Sequence, residues 1–330
     1  MLFITNGDVA AEALERCHLA DEIVPWRDVL HEGPVPEGLS LRDLSELRAR
    51  FIASENWADL DEAIDQFERR DGAIAAAFRH DEIVLWFEHD LCDQLQMVQA
   101  LDALAKQLGD PAKCSLVCNA EYLGGARAEH LARRFAGRQT VTAEQLTRAS
   151  TAWAAFRAPD PRRISEWLAG DAAAFPFLQA ALERHLQQFP WARDGLSRTE
   201  RQALRAIETG RDTPREAFAC SHLEQEDPVF LGDIVFLRYL ERLMQRPNAL
   251  LRFASEAVSG SSLPAKSPSG HLSKHWDTPL ELTETGVRIL EGHDRVAICG
   301  IDRWLGGVHL EGRNGVWRWN ESRRRLEQPS

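Results

Sequence analysis

The sequence predicts an α/β protein with three parts: a parallel-sheet N-terminal domain over 1–140, a helical connector over 141–196, and a winged-helix-like α+β unit over 197–330. Two observations predict this order. Four short β-rich runs alternate with helical patterns in the first 120 or so residues, which is the signature of parallel strands joined by crossover helices. Beyond Thr142 the pattern turns helical, and from Ser197 three short helices are followed by β-like segments, the order of a winged helix.

The strands are LFITN (2–6), EIVPW (22–26), EIVLWF (82–87) and CSLVCN (114–119). Between the second and third lies an insertion that opens with the loop HEGPVPEGLS and continues through helical stretches at Leu44–Phe51 and Leu60–Phe78. The helix after EIVLWF carries Leu91, Leu95, Val98, Leu101, Leu104 and Leu108 as an apolar stripe at three- and four-residue spacing, with Gly109 and Pro111 as its stop. Thr142 opens the connector as the first residue of a TAEQ capping box, and FLQAALERHLQQF reads as its second helix. SRTE at Ser197 is another capping box, and Thr213 caps a helix with Pro214 at its first position. GDIVFLRYLERLMQR is the third helix, LLRFA and LELTETG are the β-like segments, and 259–275 has the composition of a loop.

Composition narrows the classes. With 44% hydrophobic and 27% charged residues the chain can bury a substantial core. MLFITNGDVAAEALER has no basic leader and no signal-peptide core, so a cytoplasmic location is expected. No apolar run approaches the ~20 residues that would span a bilayer, and no membrane partner is expected. Six cysteines (17, 92, 114, 118, 220 and 299) lack CxxC spacing and read as reduced core thiols. The net charge of −12 lies entirely before Ser197, since 19 Lys and Arg balance 19 Asp and Glu after it. An acidic N-terminal part disfavours nucleic acid as its partner and leaves a small-molecule ligand.

The candidate site follows from the fold. In open parallel sheets ligands bind beyond the carboxyl ends of the strands. Three strand ends here carry polar clusters: Asn6-Gly7-Asp8, then Arg27-Asp28 with His31-Glu32, and Glu88-His89-Asp90. Asp8, Asp28, His31, Glu32, Glu88, His89 and Asp90 are the candidate catalytic residues; Asn6, Gly7, Arg27 and Arg50 are the candidate substrate-binding ones. Asp8 and Asp90 each precede a helix and also fit an N-cap role, with Asp93 adding favourable charge in the first turn. The Gly- and Pro-rich stretch after His31 has the makeup of a lid. Crowded carboxylates repel, so either a cation neutralises them or some pKa values rise into the range of general acid–base work. A divalent metal is the simplest neutraliser; oxygen ligands favour magnesium or manganese, and the two histidines admit zinc or iron. The chain has no GxGxxG, no P-loop and no nucleophile elbow.

At these residues the chain resembles a bacterial family classified as a domain of unknown function, through TNGD, WRDVLHEGPVP, LRARF and LWFEHDLCDQLQ. FPFLQAALERHLQQFP, GLSRTERQAL, IDRWLGGVHLEG and VWRW extend the likeness over most of the chain. Members are often labelled RNA polymerase sigma-factor-like, which implies a helix-turn-helix at SRTERQAL. Arg238, Arg242 and Arg246 share one face of the third helix, as a phosphate-contacting stripe would, although Asp233 and Glu241 lie on the same helix. Trp304, Trp317 and Trp319 read as a small β-structure that could offer a stacking platform. The leading expectation is an enzyme acting on a small phosphorylated or nucleotide-like metabolite by hydrolysis or group transfer. The alternatives are a ligand-sensing DNA-binding regulator and a structural adaptor.

Overall fold

The protein is described by a computed structural model covering residues 1–108, 113–170, 174–255 and 272–328. The Gly109 and Pro111 stop signals and the loop from 259 to 271 lie outside the described residues. The chain divides into two compact units. One holds Met1–Arg50, Leu60–Glu183 and Gly306–Val308; the other holds Phe51–Asp59, Arg184–Leu305 and His309–Ser330. The division between Glu183 and Arg184 falls inside a helix.

The first unit is built on β1 (Leu2–Thr5), α1 (Asp8–Glu15), β2 (Glu22–Pro25), the two-residue β3 (Gly33–Pro34), α2 (Leu41–Ser54), α3 (Leu60–Ala76), β4 (Ile83–Glu88), α4 (Leu91–Gln107), β5 (Cys114–Asn119), α5 (Ala128–Ala136), β6 (Gln139–Thr140), α6 (Ala143–Arg157) and α7 (Arg162–Leu168). Its sheet has the order β2-β1-β4-β5-β6. Leu2–Thr5 lie in parallel register with Glu22–Pro25 on one side and Ile83–Trp86 on the other, and Ile83–Glu88 pair with Cys114–Asn119. Only the edge strand β6 runs antiparallel. The sheet is therefore the parallel one that the alternating runs predict. Its direction of winding reverses between β1 and β4, because the chain leaves β1 for β2 on one side and then crosses to β4 on the other.

Alternation along the strands decides the two faces. Phe3, Val84, Trp86 and Val117 pack with Ala10, Ala13 and Leu14 of α1 and Leu131 of α5. Cys118 points the other way, and Gln94 Nε2 of α4 lies 3.4 Å from its sulfur, which puts α4 on the opposite face. The apolar stripe of α4 implies one buried side, yet Gln94, Gln96, Gln99 and Asp102 are buried as well as Leu95 and Leu101. The reason is that α6 packs on α4, so the helix becomes a central rod between the sheet and a second helical layer.

The second unit begins within α8 (Leu178–Leu186) and continues through α9 (Arg198–Glu208), α10 (Pro214–Phe218), α11 (Asp233–Leu243), β7 (Leu251–Phe253), β8 (Leu280–Leu282), α12 (Glu284–Leu290), α13 (Arg295–Cys299), β9 (Ile301–Gly306, its last residue in the first unit), β10 (Val308–Gly312), β11 (Arg318–Asn320) and β12 (Arg325–Glu327). In it the helices α9, α10 and α11 precede the antiparallel pair β7–β8. The capping boxes at Thr142–Gln145 and Ser197–Glu200 both form, as does the Thr213 cap. All six cysteines are free. Among the described residues no helix is long and apolar enough to cross a membrane.

Candidate functional site

Sheet winding reverses between β1 and β4, and the carboxyl ends of these strands open the crevice where such sheets hold ligands. β4 extends one residue further than its apolar run suggests, so Glu88 is its last residue. The chain then turns into α4 with Asp90 as N-cap, its Oδ1 accepting from the Cys92 and Asp93 backbone N–H groups at 2.8 and 3.1 Å. Asp93, in the first turn, folds back: one oxygen accepts the Glu88 N–H at 2.6 Å, and both accept from Asn6 Nδ2 at 3.0 Å. Glu88 Oε1 accepts the Leu123 N–H at 2.8 Å. Ligand oxygens of Glu88, Asp90 and Asp93 all lie within 4.8 Å of one another. The three residues are 7%, 7% and 3% exposed, so this is a buried cluster of like charge without an arginine or lysine partner among the described residues.

The electrostatics follow from burial and crowding. Burial, above all, and then the Asp90 charge push the Glu88 carboxyl to about 7 against the pull of the Leu123 amide and Asn6. Burial takes Asp90 to about 6 although its backbone donors oppose it. Asp93 is raised well above the ordinary carboxylate range by burial and by both neighbouring carboxylates. Burial also drives Cys92 far up and Cys118 to about 11, so neither thiol is a ready nucleophile.

The other expected residues part company here. Asn6 joins the cluster through Asp93. Gly7 is the N-cap of α1, and Asp8 is not a cap: it is the first helical residue, its side chain makes no capping hydrogen bond, and it is ion-paired at the surface with Arg27. Asp28 is fully buried against Arg48, whose Nε and Nη2 donate to its Oδ1 at 2.9 and 2.8 Å. Arg48 also holds the backbone carbonyls of Val29, Glu32 and Pro34. Leu30 to Gly33, with His31 and Glu32, are buried, while Glu37 and Gly38 further along the Gly- and Pro-rich stretch are exposed. Arg50 is exposed; Arg48 is the arginine that α2 turns inward, half a helical turn away. His89 is half-buried with its ring edge-on to Phe177 at 5.6 Å, and it is not among the clustered ligand atoms. The donor set is therefore all oxygen, which suits magnesium, manganese or calcium rather than zinc or iron.

Three residues of the site escaped the sequence reading: Asp93, Gln94 and Asn119. Asp93 reads as helix-dipole complement, and only its spacing of three from Asp90 marks it as facing the same way. Gln94 Nε2 donates to the Glu88 carbonyl at 2.6 Å. Asn119 ends β5 in register with Glu88, and its place at a strand's carboxyl end was the available signal.

In the second unit the Arg238 and Arg242 face is occupied. Glu55 Oε2 accepts from Arg238 Nε at 2.5 Å and Arg242 Nη2 at 3.2 Å, while Arg246 is exposed. Trp319 is buried and Trp304 stacks on His309 at 4.6 Å between ring centroids, with the planes 2° apart. Compared with known proteins, the chain matches no family model, and no curated protein is significantly similar to it.

Proposed function

We propose that the first unit is a divalent-cation-dependent enzyme that acts on a small phosphorylated or nucleotide-like metabolite by hydrolysis or group transfer. The observation that carries this reading is the trio Glu88, Asp90 and Asp93: three buried carboxylates within 4.8 Å, uncompensated by a basic side chain among the described residues, at the point where the sheet reverses its winding. Burying like charges is expensive, and a fold that keeps such a cluster where ligands bind gains a use for it once a cation arrives.

In this reading Asp90 and Asp93 anchor the cation and Asn6 fixes the Asp93 carboxylate through its amide. A cation held there would supply charge neutralisation at the phosphoryl group and orient it. Glu88, held by the Leu123 amide and titrating near neutrality, takes the proton of the attacking water or hydroxyl. A P–O bond forms to that oxygen as the P–O bond to the leaving group breaks, and its electron pair departs with the leaving oxygen.

Turnover of a panel of nucleotides and sugar phosphates, measured with magnesium or manganese and then with chelator, tests the reading. Activity that requires the cation and falls at least 100-fold in Glu88→Gln is expected, the loss typical of a positioned general base. Cation-independent turnover, or a Glu88→Gln variant as fast as the wild type, refutes it.

A further inference from the structure

Among the described residues the first unit leaves Val9, Leu60, Phe78 and Tyr122 as its exposed large apolar side chains, and two of these meet beside the carboxylate trio. Val9 is 53% exposed and Tyr122 63%. Val9 belongs to the first turn of α1, which follows β1, and Tyr122 to the loop that follows β5; these two strands flank β4 and its terminal Glu88. Gly124 shows how close the two side chains come. A methyl built on its Cα would overlap Val9 Cγ1 and lie 2.8 Å from Cζ and Oη of Tyr122. The missing side chain at Gly124 is therefore what lets the valine and the ring lie side by side.

Tyr122 is rooted at the trio. The peptide N–H that donates to Glu88 Oε1 at 2.8 Å joins Tyr122 to Leu123. Tyr122 Cα is therefore no more than about 5 Å from that carboxylate oxygen. Leu123 itself is buried in the core with Phe3, Trp86 and Leu131, and its carbonyl accepts from the Ala126 N–H at 3.0 Å. The loop is thus held by an amide, a side chain and a carbonyl, while the residue before Leu123 stays in solvent. Burial first, and then the charge of Glu88, raise the Tyr122 phenol, as expected of a ring that senses this carboxylate. Single exposed apolar residues are ordinary; a contiguous aromatic and aliphatic pair on a pinned loop, at strand ends where such sheets hold ligands, is a recognition surface. The pair carries no charge and one hydroxyl, so it suits a flat apolar face better than a phosphate or a sugar. Among ligands that could place a phosphoryl group at the trio, a nucleotide has such a face in its base, and stacking on an aromatic side chain tolerates every base.

We propose that Tyr122, backed by Val9, is the base-stacking wall of the site, so that the substrate is a nucleotide rather than a phosphate ester without a base. This inference rests on the functional reading above and narrows its substrate class. The phosphoryl end of the nucleotide lies at the trio and its base at the Tyr122 rim, with the ribose between them.

Steady-state turnover by the full chain with magnesium, of adenosine and uridine mono- and triphosphates against ribose 5-phosphate and tripolyphosphate as their base-less counterparts, tests it. A wild-type kcat/KM at least tenfold higher for a nucleotide than for its base-less counterpart is expected. Tyr122→Ala should erase that preference by raising the nucleotide KM, and Tyr122→Phe should keep it, because the ring and not the hydroxyl stacks. Gly124→Ala, whose methyl displaces both side chains, should weaken the preference several-fold and serves if Tyr122→Ala does not fold. Cation-dependent turnover that treats the two kinds of compound alike, or a preference that survives both Tyr122→Ala and Gly124→Ala, overturns the stacking wall while the cation reading stands. Absence of cation-dependent turnover of every compound overturns both.

Discussion

The two units of this chain bury carboxylates to the same depth and treat them in opposite ways. In the second unit Glu226 is only 2% exposed at its side chain, and burial alone would raise its pKa, yet hydrogen bonds and charge from Arg184, with Arg198 behind them, leave it lowered. Glu200 follows the same pattern: burial pushes up, and the charges of Arg295 and Arg303 bring it below its usual value. Asp194 has Arg201, and Glu55 has Arg238 and Arg242. In the first unit Glu88, Asp90 and Asp93 are raised because burial meets no arginine there. Even within that unit, Asp28 has its Arg48. Among the described residues the arginine-paired acids serve the fold, and the trio without a basic partner is what the proposed chemistry rests on.

The contrast is sharpest in substitutions. Arg184→Met or Arg48→Met strands a buried carboxylate and should lower unfolding free energy by about 3–5 kcal/mol, the loss usual for half of a buried pair. Asp93→Asn removes one of three repelling charges and should be neutral or stabilising at pH 8. Urea denaturation decides; equal losses in both classes would erase the distinction between paired and unpaired buried acids.

The pH dependence comes next. Glu88 in the folded state holds its proton up to about 7, against an ordinary value of 4.5, so between these values the folded state binds more protons than the unfolded one. Stability of the cation-free protein should therefore fall as pH rises through this window. Glu88 contributes about 3 kcal/mol at ~1.4 kcal/mol per pKa unit. Asp90 adds a fall between 3.8 and about 6. Denaturation in chelator at pH 4.5 and 8 measures it, and a Glu88→Gln variant with the same slope would deny the trio its role.

Saturating magnesium should reverse that loss, by about 2.7 kcal/mol at a hundredfold excess over the dissociation constant, and the gain should vanish in Asp93→Asn. The smallest effect is expected at Glu55. Glu55→Gln should cost about 1 kcal/mol and remove the carboxylate that Arg238 and Arg242 share, so a mobility-shift assay at controlled salt that shows DNA retained by this variant and not by the wild type would mean that Glu55 masks a basic face.

Much of this molecule is legible along the chain. The four parallel strands, the capping boxes at Thr142 and Ser197 and the strand-end position of Glu88 and Asp90 all depend on local chemistry, namely side-chain period, cap hydrogen bonds and β-rich runs. What sequence spacing does not carry is which polar residues meet. Asp8, Asp28 and Glu88 look alike as acids near strand ends; a surface arginine takes the first, a buried arginine from α2 takes the second, and only the third is left to its neighbours.

By itself, then, the sequence determined an α/β chain with acids at the strand ends, because hydrophobic periodicity and capping act over a few residues. Tertiary structure alone decided that Asp93 and Asn119 belong beside Glu88, that Arg48 holds the chain around His31 and Glu32 and that α4 is buried all round. Those outcomes depend on long-range packing, where an arginine twenty residues away or a second helical layer sets the partner and the charge state of a group whose own neighbours in sequence give no sign of it.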